Sequence, residues 1–258
     1  MGSQLMFSNA IVRIPGKSMI QGLTTANLGH PDYNKAIEQH QSYINTLKKC
    51  GLEVIVLPPD ENFPDSTFVE DTALLTPHCA IIMNPGAASR KGEVFEITDT
   101  IRLFYSELEF IKDPGTAEAG DIMSAGTHYY IGISSRTNEC GAKQVINILN
   151  KYGMDGSTIQ FEKALHLKTG LAYLEKNNLL VSGEFLTKSE FEPFNKIEIP
   201  ENESYAANCI WVNNTVIIPA GYPNTKQKIL DAGYSIKETD VSEFQKIDGG
   251  LSCLSLRF

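Results

Sequence analysis

Hydrophobic and polar positions along this chain alternate between a strand period and a helix period. Phe7 to Ile14 reads as a first strand. Behind Asp32, whose side chain suits an N-cap, Tyr33 to Cys50 carries Ile37, Ile44 and Leu47 at near-helical spacing. Gly51 predicts the stop, and Leu52-Glu53-Val54-Ile55-Val56-Leu57 predicts a buried strand ended by Pro58-Pro59. The unit of helix, turn and strand recurs. Helices predicted near 91–107, 138–152, 185–191 and 223–232 precede strands near 108–112, 157–161, 196–199 and 234–238. β-Rich segments fill the gaps, from Ala73 to Met83, His128 to Ile133, Leu171 to Val181 and Cys209 to Pro219.

These are five ββαβ-like modules, repeating every few tens of residues as repeat architectures do. Five such units predict an α/β ring around an axial cavity, where loops from different modules bring distant residues together. A doubly wound open sheet is the competing architecture. For a chain of 258 residues one domain over 1–258 is expected. Gln21 to His30, rich in Gly and Thr, follows neither period and reads as a long loop or lid.

Composition narrows the function. Apolar residues make up 42% and charged residues 21%, ordinary for a globular protein, and no run approaches the ~20 apolar residues of a membrane span. Met1 to Val12 has no basic segment leading into an apolar block, so a cytoplasmic location is expected. The net charge of −9 argues against nucleic acid or an anionic membrane as partner and suits a cationic small molecule. Oligomeric state stays open, a homodimer included. The five cysteines are widely spaced without C-x-x-C, histidine pairs lack metal-ligand spacing, and phosphate-binding glycine motifs are absent. Neither a disulfide framework, a catalytic metal nor a nucleotide cofactor is expected.

Four polar stretches carry candidate chemistry. Asp65-Ser66-Thr67-Phe68-Val69-Glu70-Asp71 sets three carboxylates and an aromatic ring before a strand, able to hold a guanidinium or ammonium by charge-assisted hydrogen bonds. In Glu118-Ala119-Gly120-Asp121 one acid could orient a histidine while the other anchors the loop, and Arg136 beyond it could bind a carboxylate. His166, in the alternating run Leu165-His166-Leu167-Lys168, can work as acid and base near neutral pH. Cys253 follows Gly249-Gly250 and precedes alternating Leu and Ser. A bend at the paired glycines is expected to deliver its thiol to a strand edge, where a nearby base or positive field would make it a nucleophile. Each stretch also has a plain structural reading, as solvated acids, a satisfied histidine or a packed thiol.

Taken in order, the stretches resemble the guanidine-modifying superfamily, and most closely its dimethylarginine dimethylaminohydrolase family. The resemblance rests on Gly22-Leu23-Thr24, Asp65-x-x-Phe68-x-Glu70-Asp71, Arg90, Glu118-Ala119-Gly120-Asp121, Ser135-Arg136-Thr137-Asn138, His166-Leu167-Lys168 and Asp248-Gly249-Gly250-x-Ser252-Cys253. It implies a five-bladed α/β propeller, or pentein. It also implies roles: Cys253 attacks the guanidinium carbon of an Nω-methylated arginine, His166 protonates the departing amine and then activates water, and Glu118 holds the histidine. Asp71 and Glu70 would face the guanidinium and Phe68 would wall the pocket, with Ser252 counted among the pocket residues. Arg90 and Arg136 would bind the α-carboxylate. Asp65, with carbonyls near Leu23 and Ile247, would take the α-amino group, and Leu23 would sit on the lid. Arginine deiminases and amidinotransferases carry His-x-Asp where this chain has Lys168, a departure that favours a methylated substrate. The alternatives are another guanidino substrate such as arginine, or an amino-acid binder without catalysis. A pure binder has no need of Cys253, His166 and Glu118 together.

Overall fold

A computed structural model describes Met6–Phe258; residues 1–5, at the start of the segment read for a leader, lie outside it. Five three-stranded sheets follow one another around a ring. The first contains β1 (Asn9–Arg13) and β2 (Glu53–Leu57), paired in parallel through α1 (Tyr33–Lys49). Asp32 caps α1 by accepting from the Lys35 N–H at 3.2 Å, and its buried face presents Tyr43, Ile44 and Leu47. Fully burying each such apolar side chain stabilises the fold by about 1.5–3 kcal/mol.

The second sheet is β3 (Ala73–Leu75), β4 (Ala80–Ile82), α2 (Val94–Ile101) and β5 (Leu108–Phe110). The third is β6 (Ile122–Ala125), β7 (His128–Ile133), α3 (Glu139–Lys151) and β8 (Asp155–Gln160). The fourth is β9 (Leu171–Tyr173), β10 (Asn178–Val181) and β11 (Asn195–Glu198), and the fifth is β12 (Ile210–Val212), β13 (Thr215–Pro219), α4 (Pro223–Asp231) and β14 (Ser235–Thr239). A short α5 (Ser242–Gln245) leads to β15 (Leu256–Arg257), which pairs antiparallel with β1 at Ala10–Arg257 and Ile11–Leu256. Every sheet thus has one antiparallel and one parallel pair, and the first is completed by a strand from the far end of the sequence. The ring reading holds and the open sheet does not.

Four expectations need correction. β2, expected to be buried, is largely half-exposed or exposed, with only Leu57 of its five residues buried. The helix expected over 91–107 is the short α2, entered through a 3-10 turn at Ala88–Glu93. No α-helix forms at 185–191, where 3-10 segments at Gly183–Thr187 and Ser189–Phe191 make the crossover and bury Phe185 and Phe191. Cys253 stands on no strand edge: it lies on a 3-10 turn, Ser252–Leu254, just before β15.

Candidate active site

Loops from several blades meet at one end of the ring. A cavity of about 190 Å³ opens there, lined by Leu23, Asp65, Phe68, Asp71, Arg90, Arg136, His166, Ile247 and Cys253, with Thr24, Thr25, Leu165, Asp248 and Gly249 completing its wall. Nine of the twelve residues expected at the site border it. Glu118 is fully buried behind it, while Glu70 and Ser252 line a separate cavity of about 390 Å³ on the axis.

His166 Nε2 lies 2.8 Å from Glu118 Oε2 and 4.0 Å from Asp71 Oδ1. Glu118 is held in turn by the N–H groups of Gly86 and Ala87, which donate to Oε1 at 3.0 and 3.4 Å. Asp121 anchors the histidine's own segment, accepting from Leu167 N–H at 3.0 Å and from Ser134 Oγ at 2.7 Å. Gly120 donates its N–H to Asp71 Oδ1 at 3.0 Å; a Cβ there would lie 2.6 Å from that oxygen and 3.1 Å from the imidazole, so only glycine lets the turn pass. Burial works against the imidazolium, yet the carboxylates of Asp71, Asp121 and Glu118 hold the His166 pKa up at about 9. Asp71 is opposed by burial as well, but His166 and Arg90 bring its pKa down to about 2.

Cys253 Sγ accepts from Gly250 N–H at 3.4 Å. Burial, with the negative charges of Glu70 and Asp71, pushes its thiol up to about 12. The backbone bend before it sits at Asp248, with φ of +58°, and not at the two glycines as expected. Gly249 serves close approach instead: a Cβ would stand 2.2 Å from the Phe68 ring.

The two arginines differ. Arg90 is buried and grips Glu93 through Nε and Nη2, Asp71 through Nη1 at 2.6 Å, and the Phe68 carbonyl through Nη2 at 3.0 Å. Arg136 is far less committed, with Nη1 buried, lacking a hydrogen-bond partner among the described residues, and 3.7 Å from Glu118. Glu70 turns toward the axis: Oε1 accepts from Lys168 Nζ at 2.6 Å and lies 3.6 Å from Arg257, while Oε2 is buried without a partner among the described residues. Lys168 therefore neutralises an acid behind the cavity. Asp65 Oδ1 accepts from Leu23 N–H at 3.0 Å, tying the loop of residues 21–30 to the cavity wall.

One ligand-type atom each from Asp71, Glu118 and His166 falls within 4.8 Å of the others, but Arg90 and the imidazole already engage the two acids. Three contributing residues lay outside the expected site. Glu93 is signalled in hindsight by its i, i+3 spacing from Arg90. Asn208, whose Oδ1 accepts from Ser252 N–H at 2.8 Å, carries no local signal, while Asp248, which binds Thr25 of the 21–30 loop, stood in the matched motif without a role assigned to it.

A five-bladed α/β ring that gathers a cysteine, a carboxylate-held histidine, further acids and an arginine around one polar cavity defines the guanidine-modifying class. Residues 30–253 match the family described as N,N dimethylarginine dimethylhydrolase, eukaryotic. The chain is 59% identical to the N(G),N(G)-dimethylarginine dimethylaminohydrolase of Pseudomonas aeruginosa over 98% of its own length and 100% of the relative's. A crystal structure of the Pseudomonas enzyme, a cysteine-to-serine mutant complexed with citrulline, superposes with a TM-score of 0.98 at 59% identity, covering 98% of this chain and 100% of that one. An S-methyl-L-thiocitrulline adduct of a dimethylarginine dimethylaminohydrolase, a histidine-to-glycine variant, gives 0.97 at 59% identity with the same coverage. The chain belongs to the dimethylarginine dimethylaminohydrolase family.

Proposed function

We propose that the protein hydrolyses Nω-methylated arginines to citrulline and methylamine or dimethylamine through a covalent intermediate on Cys253. The observation that carries the reading is the shared cavity of Cys253 and the Glu118-held His166, walled by acids and by Arg136. Family membership and the citrulline complex of the 59% identical relative support it.

In this reading the substrate's α-carboxylate pairs with Arg136, whose Nη1 makes no hydrogen bond among the described residues and only a 3.7 Å ion pair with Glu118, and Arg90 adds a second, more constrained positive charge. Asp65 and the carbonyl ends of Leu23 and Ile247 receive the α-ammonium. The guanidinium lies against Asp71 and the Phe68 ring. Its positive charge offsets the acids that hold the thiol protonated, so bound substrate favours the thiolate. Glu70 acts through this field from behind the cavity, with Lys168 tempering it, and Ser252 acts by holding the turn that carries Cys253.

The thiolate then forms a C–S bond to the guanidinium carbon. Protonated His166 gives its proton to the methylated nitrogen, the C–N bond breaks, and the amine departs from an S-alkylthiouronium. The now neutral imidazole takes a proton from water. Hydroxide adds to the same carbon, the C–S bond breaks as the added hydroxyl gives up its proton to solvent, and citrulline leaves with the thiolate regenerated. The test is citrulline release from asymmetric dimethylarginine and monomethylarginine, beside arginine and agmatine. Turnover is expected for the methylarginines, and its absence for both overturns the reading.

A further inference from the structure

Two cavities meet at Cys253. The one that presents Asp65, Arg90 and Arg136 is described above. A second, of about 310 Å³, also reaches the thiol and presents Ala26, Leu28, Ala164, Tyr205 and Gln245, none of which borders the first. Thr25, Leu165, His166, Asp248, Gly249 and Cys253 border both.

Two of these shared residues are bonded to each other. Asp248 Oδ2 accepts from Thr25 N–H at 2.5 Å and from Thr25 Oγ1 at 3.0 Å, and its Oδ1 accepts from Ala26 N–H at 3.1 Å. A hydrogen-bonded strap between the lid and the segment leading to Cys253 therefore lies on the boundary of the two cavities. Leu28, 54% exposed, and the exposed Lys163 carry the second cavity to the surface.

The division matches a requirement of two-step chemistry. The groups suited to the amino-acid end, Asp65, Arg90 and Arg136, line the first cavity alone. While the substrate carbon is bonded to sulfur, the rest of the substrate fills that cavity and cannot leave. The amine must nonetheless depart and a water must reach the same carbon, both beside His166. From the structure we infer that the second cavity is the port for both, and that it accommodates the N-alkyl substituent before cleavage. The inference rests on the proposed hydrolysis and adds to it a route and a subsite.

Ala164→Phe and Leu28→Trp narrow the second cavity, and neither residue borders the first. Steady-state kinetics with Nω-methyl, dimethyl, ethyl and propyl arginines, beside inhibition by citrulline, test the assignment. In the variants kcat should fall roughly tenfold, and further as the substituent grows, while the citrulline inhibition constant stays within about twofold. Unchanged kcat for every substrate in both variants, folded by circular dichroism, overturns the port. An equal weakening of citrulline inhibition overturns it too, because the damage then lies in the first cavity. Wild-type enzyme that releases no citrulline from any methylarginine overturns the parent reading and the port with it; an active wild type with unaffected variants removes the port alone.

Discussion

His166 Nε2 meets Glu118 Oε2 at 2.8 Å in a place where the carboxylate is fully buried, so the two behave as one charged unit. Glu118→Gln removes the charge and keeps the shape. The imidazole then loses a partner that favours its protonated form. We expect kcat to fall by about 10²-fold or more with a smaller change in KM, and the alkaline limb of the pH–rate profile to move to lower pH. Steady-state kinetics from pH 6 to 10 read both effects.

The same unit affects stability. His166 has a pKa raised from 6.5 to about 9 in the fold, so its contribution is complete below about pH 6.5 and is lost as pH rises through about 9. Urea unfolding of wild type and His166→Gln should show a stability difference that narrows from pH 6 to pH 10. A constant difference would be inconsistent with a raised pKa.

A thiol held at about 12 is unreactive at neutral pH unless a cation sits beside it. Iodoacetamide should alkylate Cys253 slowly at pH 7, faster with each pH unit, and without a plateau below pH 9. A small guanidinium ion that fits against Asp71 should accelerate the reaction at constant pH. Mass spectrometry of the peptide containing Cys253 provides the rate.

Glu93 never reaches the cavity, yet it takes two of the Arg90 nitrogens. Burial lifts its pKa to about 7 against the pull of that arginine. Glu93→Ala leaves a buried guanidinium held mainly by Asp71, and should cost about 3 kcal/mol in urea unfolding. It should also raise KM for the substrate more than it lowers kcat.

Lys168→Met strips Glu70 of its 2.6 Å partner and leaves a buried carboxylate with only Arg257, 3.6 Å away, to offset its charge. A stability loss of about 3 kcal/mol is expected. Alkylation of Cys253 should slow at fixed pH, since the less compensated charge disfavours the thiolate. A faster reaction would contradict the assignment of Glu70 to the field around Cys253.

How far the chain could be read in advance follows from how local each signal is. α1 was visible because Asp32, Ile44, Leu47 and Gly51 lie within one stretch, and β2 because its apolar run ends in two prolines. The crossover at 183–191 was not, because Phe185 and Phe191 bury equally well from two 3-10 segments as from one α-helix, and apolar spacing does not distinguish them. The residues that gather at the cavity came mostly from motif order. Their partners did not: Lys168 with Glu70 is a contact across blades, and Arg90 with Asp71 joins two separate turns of the second blade, both beyond the reach of any local period. The bend was misassigned because glycine suggests freedom of φ, whereas here Gly249 meets the need for space beside Phe68 and Asp248 takes the positive φ.

The ring is joined where β15 lies against β1, with Ala10 beside Arg257. During synthesis β1 emerges early, and one of its edges must wait for a partner made more than two hundred residues later. A join of such high contact order is slow to form, and until it forms the waiting edge is open to pairing with another chain. The turn that presents Cys253 immediately precedes β15, so a nascent chain should carry its nucleophile on an unformed support until the ring shuts. Activity during in vitro translation should therefore lag behind the appearance of full-length chain. A chaperone that shields exposed strand edges should improve the yield of active protein more than it speeds folding.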